Sequence, residues 1–294
     1  MFPFFRKKEN RAAGTLAVGC GGCGCNIAGR LGMISSVDIL TVNTDRKGLV
    51  RTRSDKRILL GDGSVTEGCG GDTERGMALA KAAVPMISED TERYLNVVPI
   101  AGLGGGTGTS AVRIIAETAK KNGSRVIVMA VLPMSFESGR RDTALSAIDG
   151  IKRLCDILFL LDGERLAAID PMIGAREAFS VLDEMMCESF LGLLEVLEGS
   201  EGGSVYQILK GRTVTVSFAE GTQAGSVADK LIRGIMMDAP VTAQPVIFVS
   251  GNIPPDGSER VISDRIEAAF GTAPVYVQGR QGRGMSLMMF VPVQ

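Results

Sequence analysis

Between Thr15 and Leu161, short apolar runs alternate with longer segments of helical character, and this alternation restricts the possible folds more than any other feature of the chain. Thr15–Val18, Asp38–Val42, Val97–Ala101, Arg125–Val131 and Ile157–Leu161 read as strands. The segment ending near Met33, and then Glu74–Ile87, Ser110–Asn122 and Arg141–Leu154, read as helices. Strand and helix in regular succession predict a doubly wound α/β fold, a parallel sheet with helices on both faces.

Residues Ala175 to Leu197 form one long apolar-periodic stretch, which predicts a central helix. Glu198-Gly199-Ser200-Glu201-Gly202-Gly203-Ser204 then breaks the pattern, and a domain boundary is expected there. Beyond it, Thr213–Ala219, Pro245–Ser250, Ala273–Gln278 and Met285–Pro292 read as strands, and Ser226–Met237 and Glu259–Phe270 as helices. The expected organisation is an arm over residues 1–13, an α/β domain over 14–174, the central helix over 175–198 and a smaller α/β or α+β domain over 199–294.

Composition excludes several kinds of chemistry. Lysine and arginine number 32 against 33 acids, so the net charge of −1 gives no whole-molecule attraction to nucleic acid, and no nucleic-acid partner is expected. Any polyanion must be held locally. The chain contains no histidine, which removes Ser-His and Cys-His catalysis and histidine metal sites. No apolar run approaches the roughly 20 residues that cross a bilayer, and the start lacks the order of a secretory signal, so a cytoplasmic location is expected. In that setting the six cysteines are expected as thiols rather than as a disulfide framework.

Two glycine-rich loops carry the chemistry. Gly19-Cys20-Gly21-Gly22-Cys23-Gly24-Cys25-Asn26 follows a strand and opens a helix, where backbone amides and the helix N-terminus favour phosphate. Alone, this loop also fits a dinucleotide fingerprint, with Asp45 in the place of the ribose-binding acid. The second loop, Gly102-Leu103-Gly104-Gly105-Gly106-Thr107-Gly108-Thr109-Ser110, again lies between strand and helix. Its glycines lose conformational entropy on folding, at roughly 0.5–1 kcal/mol each relative to alanine, and a bound phosphate chain offsets that loss. A dinucleotide fold needs one such loop, so two favour a nucleoside triphosphate.

At these residues the chain resembles the tubulin/FtsZ family. Gly104-Gly105-Gly106-Thr107-Gly108-Thr109 looks like that family's signature loop, and Gly19 to Asn26 resembles its first nucleotide loop, with cysteines at three positions. Asn43-Thr44-Asp45 matches its second loop. Pro133-Met134-Ser135-Phe136-Glu137-Ser138-Gly139-Arg140-Arg141 keeps its Pro-x-x-Phe-Glu-x-x-x-Arg spacing, and Ala178-Phe179 with Asp183 resembles the start of its central helix. The resemblance implies GTP or GDP as ligand, with Mg²⁺ admissible, and implies roles residue by residue. Gly21, Gly22, Cys23, Asn26, Gly104, Gly105, Gly106, Thr107, Gly108 and Thr109 would hold the nucleotide, with Glu137 on the ribose, Arg141 near the phosphates, Phe179 stacked on guanine and Asp183 reading its edge. It also implies a head-to-tail homopolymer with nucleotide between subunits.

The departures from the family pattern matter as much. The loop after the central helix, Glu198 to Leu209, contains no aspartate where the family carries acids that position water for the neighbouring subunit. Glu201 is the candidate left for that catalytic role, and hydrolysis is expected to be slow or lost. The third loop, Gly68 to Gly76, is short and acidic, and the three cysteines lack a fourth ligand, so no metal is expected. The sequence stops at Gln294 without the linker and tail that follow the family's core. Phe2, Phe4 and Phe5 beside Arg6, Lys7 and Lys8 suit an anionic membrane surface instead, at the inner face of the cell membrane. Two other readings stay open: a non-hydrolysing, nucleotide-bound membrane scaffold, and an NAD-dependent oxidoreductase built on the first loop and Asp45.

Overall fold

The computed structural model describes residues 14–61, 68–137, 139–279 and 284–294. Its centre is a ten-stranded sheet in the order β3-β2-β1-β4-β5-β6-β7-β10-β8-β9. The first six strands are β1 (Thr15–Cys20), β2 (Asp38–Asn43), β3 (Lys56–Leu59), β4 (Asn96–Gly102), β5 (Arg125–Leu132) and β6 (Ile157–Asp162), and every pair among them is parallel. Helices α1 (Gly21–Ile34), α2 (Arg46–Arg51), α3 (Thr73–Ala82), α4 (Val84–Thr91), α5 (Gly106–Lys121) and α6 (Arg140–Lys152) connect them. The doubly wound parallel sheet expected from the alternation is therefore present.

Alternation of side chains along the strands divides the core. All six residues of β1 are buried. Ala17 joins a cluster with Ile27 and Leu31 of α1, while Leu16, Val18 and Cys20 face a second cluster with Ile114 and Ile115 of α5. A strand covered on both faces reads as a continuous apolar run, which is why these strands were visible in the sequence.

After α7 (Gly163–Ile169) comes α8 (Ala175–Glu198), the expected central helix. Its residues from Met185 to Leu193 are all buried. Such all-round burial suits a helix enclosed by the rest of the fold. The remaining elements are α9 (Gly202–Leu209), β7 (Thr213–Gly221), α10 (Ala224–Arg233), β8 (Val246–Val249), α11 (Ser258–Phe270), β9 (Val275–Gln278) and β10 (Met285–Val293). β7 joins β6 in parallel, and β10 runs antiparallel between β7 and β8. Val216, Phe248 and Phe290 face the α8 cluster, whereas Leu287, Met289 and Val291 pack with α10 and α11.

Four elements escaped the sequence reading, and one expected helix is divided in two. The single helix expected over Glu74–Ile87 is two helices, α3 and α4, because Pro85 in the first turn of α4 cannot continue the earlier one. Helices α2, α7 and α9 and strand β3 were not foreseen; the three helices span only 6, 7 and 8 residues, too short to show a period. Most of the expected loop after the central helix is thus α9. Its start needs glycine at 202, where a Cβ would collide with the Leu197 carbonyl.

Candidate functional site

In an open parallel sheet the crevice for ligands opens where the strand order reverses, beyond the carboxyl ends of the strands. Here that point lies between β1 and β4, and both glycine loops leave from it. Gly21 has φ +68, and a Cβ there would stand 2.8 Å from the Gly108 nitrogen, so the two loops meet backbone to backbone. Gly104, at φ +89, lies against the Arg140 carbonyl with no room for a side chain. Glycine is needed at both positions.

Between the loops is a cleft of about 440 Å³. Helix α5 begins at Gly106, so the amides of its first turn have no partners within the helix and carry the positive end of its dipole. A Cβ on Gly22 or Gly105, which line the cleft, would meet nothing within 4 Å, so the space before them is open. Thr109 Oγ1 accepts from the Gly104 nitrogen at 2.9 Å and fixes the loop from behind. The Thr107 hydroxyl is paired with that of Thr44 at 2.7 Å, and so is engaged with the second loop.

Acceptors and a ring also line the cleft. Glu137 accepts from the Met134 nitrogen at 3.2 Å and from Arg140 Nη1 at 3.2 Å. Phe179, 44% exposed, meets Phe136, 57% exposed, edge to face at 6.1 Å, so two aromatic rings stand open to solvent side by side. Asp183 sits 3.8 Å from Arg30 Nε; burial raises its pKa to about 6, and the arginine moderates that rise. Burial, and then the charges of Asp183 and Glu137, push the Cys23 thiol up to about 12, which keeps it protonated. The cleft is therefore lined both by anion-seeking amides and by two hydrogen-bond-accepting carboxylates.

The residues singled out from the sequence divide into three groups. Gly22, Cys23, Gly105, Gly106, Thr107, Gly108, Glu137, Phe179 and Asp183 line the cleft. Gly21, Gly104 and Thr109 shape it from behind. Asn26 is exposed and stands apart from the lining, as does Arg141, whose guanidinium is held by Asp162. Its neighbour Arg140 lines the cleft instead. Adjacent residues at a helix start point in different directions, and spacing alone does not choose between them.

Asn43 and Asp45 of the second loop also line the cleft. Asp45 Oδ1 accepts from the Lys47 nitrogen at 2.9 Å as the N-cap of α2, so the acid that a dinucleotide would require on its ribose already has a structural use. Glu201 is exposed at the start of α9, away from the cleft of its own chain. The aromatic and basic residues proposed for membrane contact, 2–8, lie outside the described residues. Among the described residues no group of three or more Cys, Asp or Glu is arranged to hold a metal ion, and no helix is long and apolar enough to cross a membrane.

Comparison with known proteins agrees with this geometry. Residues 15–171 match the Tubulin/FtsZ family, GTPase domain. Cell division protein FtsZ 2 of Methanocaldococcus jannaschii is 32% identical over 197 residues, covering 66% of this chain and 52% of that protein. Cell division protein FtsZ 1 of the same organism is 35% identical over 185 residues, covering 61% and 50%. The chain thus spans about half the length of the relatives it matches. Among solved structures, the empty M. jannaschii FtsZ dimer superposes with a TM-score of 0.81 at 25% identity, covering 96% of this chain and 88% of that one. The GTPγS-bound protofilament of CetZ2 from Haloferax volcanii has the same fold, with a TM-score of 0.81 at 21% identity and coverage of 95% and 92%. By the extent of the matching GTPase domain, this chain belongs to the Tubulin/FtsZ family.

Proposed function

We propose that the cleft binds GTP or GDP and that the chain assembles head to tail into a filament with the nucleotide at each junction. The observation that carries this reading is that the α5 N-terminal amides and the carboxylates Asp183 and Glu137 line one cleft. Phosphates suit the amides of Gly105, Gly106, Thr107 and Gly108, and Arg140, paired with Glu137 at 3.2 Å, is the arginine of the two that lines the cleft. Ribose hydroxyls can donate to Glu137. The paired N–H groups of guanine suit ionised Asp183, and the acceptor edge of adenine does not. Phe179 offers the base a ring face.

Polymerisation follows the same logic. The relatives whose solved structures are an FtsZ dimer and a CetZ2 protofilament support self-association of this chain. A heterologous contact that does not close gives a filament, and a nucleotide at the contact sets its strength. We assign residues 14–174 to the nucleotide-binding domain and 199–294 to the C-terminal domain, with α8 between them.

A second reading, a scaffold that binds nucleotide without hydrolysing it, is favoured by one observation: residues 198–209 contain no aspartate. Glu201 of the next subunit is the carboxylate we assign to water. Mg²⁺, if used, would sit with the phosphates. We further propose a cytoplasmic location, with the arm of residues 2–8 on anionic lipid; liposome pelleting of the full chain that survives deletion of this arm would refute that part.

The deciding experiment denatures freshly purified protein and identifies what is released, and then follows sedimentation with added GTP. Guanine nucleotide and nucleotide-dependent pelleting are expected. Release of NAD, or pelleting indifferent to nucleotide, would overturn the proposal.

A further inference from the structure

A second groove, of about 460 Å³, lies on the other side of α5, between α3 and α6. Two cations line it, Lys81 of α3 and Arg113 of α5. Neither side chain takes part in an ion pair among the described residues. Arg113 Nε is buried without any hydrogen-bond partner. A buried charged donor left unpaired is uncommon, and each such group normally has a reason.

The fold makes room for this guanidinium. A Cβ at Gly150, inside α6, would stand 3.4 Å from Arg113 Nη2, an ordinary van der Waals distance, so the planar group lies against this helix. Thr109 also lines the groove; its oxygen accepts from Gly104, which leaves its own hydrogen free to donate. Glu74, exposed in the first turn of α3, is the only carboxylate lining the groove among the described residues. The donors outnumber it.

We propose that this groove is a second ligand site, taking a small molecule that carries a phosphate or carboxylate, and that its occupancy is linked to the cleft. The link is short. Ser110 Oγ donates to the Thr73 carbonyl at 2.7 Å, and Gly76 presses on the Gly106 carbonyl so closely that a Cβ would collide. Gly106 lines the cleft, as do Gly68 to Gly71 just before α3. An anion drawing Lys81 and Arg113 together holds α3 against α5, and with it the loop that closes one side of the cleft. By reciprocity, nucleotide in the cleft tightens the groove. The site stands without the nucleotide reading; the linkage rests on it.

The test titrates inorganic phosphate, and separately citrate, into the GDP-saturated full chain by calorimetry, alongside Lys81→Gln and Arg113→Gln. One anion per chain is expected, bound about tenfold more weakly by either groove variant, as befits loss of a charge-assisted hydrogen bond. Tighter binding of phosphate than of citrate identifies a phosphorylated ligand, and the reverse a carboxylate. No binding by the wild type, or equal binding by Lys81→Gln, overturns the site; Lys81 is exposed, so its variant keeps the fold even where Arg113→Gln does not. Saturating anion is expected to shift GDP affinity about fivefold in the wild type and not in Lys81→Gln, and an unmoved affinity overturns the linkage. Failure of GDP to bind at all counts against the nucleotide reading alone, since the phosphate titration is read independently.

Discussion

The guanidinium of Arg141 grips both oxygens of Asp162, with Nη1 and Nη2 each at 2.7 Å, and Nη1 also donates to the Pro133 carbonyl at 2.7 Å. Asp162 in turn caps α7 by accepting from the Glu164 nitrogen at 3.0 Å. One ion pair thus ties together the end of β5, the start of α6 and the start of α7, and it leaves Arg140 as the arginine facing the cleft.

This arrangement separates two neighbouring arginines by experiment. Arg141→Gln is expected to lower stability by about 1–3 kcal/mol, because Asp162 loses a bidentate partner while partly buried. Arg140→Gln, exposed, should leave stability within about 0.5 kcal/mol and weaken GDP binding roughly tenfold through a lost phosphate contact. Urea denaturation and GDP titration of both variants check the pair, and the reverse pattern would return the phosphate role to Arg141.

Adjacent glycines of the first loop are distinguished in the same way. A Cβ at Gly22 meets nothing, so Gly22→Ala should fold like the wild type yet lose nucleotide affinity at least about tenfold by filling the cleft. Gly21 has φ +68 and abuts Gly108, so Gly21→Ala should lower stability by about 1–3 kcal/mol. Equal melting temperatures for the two variants would show that the loops do not meet as described.

The protonation of Asp183 gives a pH dependence of known sign. Its folded pKa is raised to about 6 from 3.8, chiefly by burial, so the folded apo protein holds this proton more tightly than the unfolded chain. Its contribution to stability is therefore fully present below 3.8 and is lost as pH rises through about 6. Guanine binding runs the other way, because only the carboxylate accepts from the base: GDP affinity should fall about tenfold per pH unit below 6 and level off above it. Asp183→Asn should abolish both dependences, as seen in GDP titrations and melting curves between pH 5 and 8.

Much of this was legible in the sequence, for identifiable reasons. Strands buried on both faces wrote themselves as apolar runs, and glycines forced by φ and by close backbone approach, Gly21 and Gly104, marked the cleft. The choice between Arg140 and Arg141 was not legible, since it depends on where Asp162, 21 residues away, places its carboxylate. The groove at Arg113 was hidden for the same reason. Its two cations stand on different helices, Lys81 on α3 and Arg113 on α5, 32 positions apart in the chain.

Glu188 makes a prediction away from the cleft. It lies on the buried stretch of α8, its Oε2 has no hydrogen-bond partner, and burial, followed by the charge of Glu184, raises its pKa to about 7 from 4.5. Stability from this group is present below 4.5 and lost as pH rises through about 7. Glu188→Gln should accordingly stabilise the protein by about 1–3 kcal/mol at pH 8 and by little at pH 5. Denaturant midpoints at the two pH values measure this, and a variant destabilised at both would mean that the carboxylate has a partner.

Turnover tests the junction between subunits. Glu201 is exposed and away from the cleft of its own chain, so any part it takes in hydrolysis must be played on a neighbouring molecule. Phosphate release from GTP should then rise steeply above a threshold protein concentration, and Glu201→Gln should lower it by about 10²–10⁴-fold, the usual worth of a positioned base, while GDP affinity stays the same. Residues 198–209 contain no aspartate, and Glu198 is the one other carboxylate of that segment. Turnover proportional to concentration, or indifferent to the substitution, would place the water-activating group inside a single chain, and turnover absent from the wild type as well would leave the nucleotide as a fixed part of the assembly.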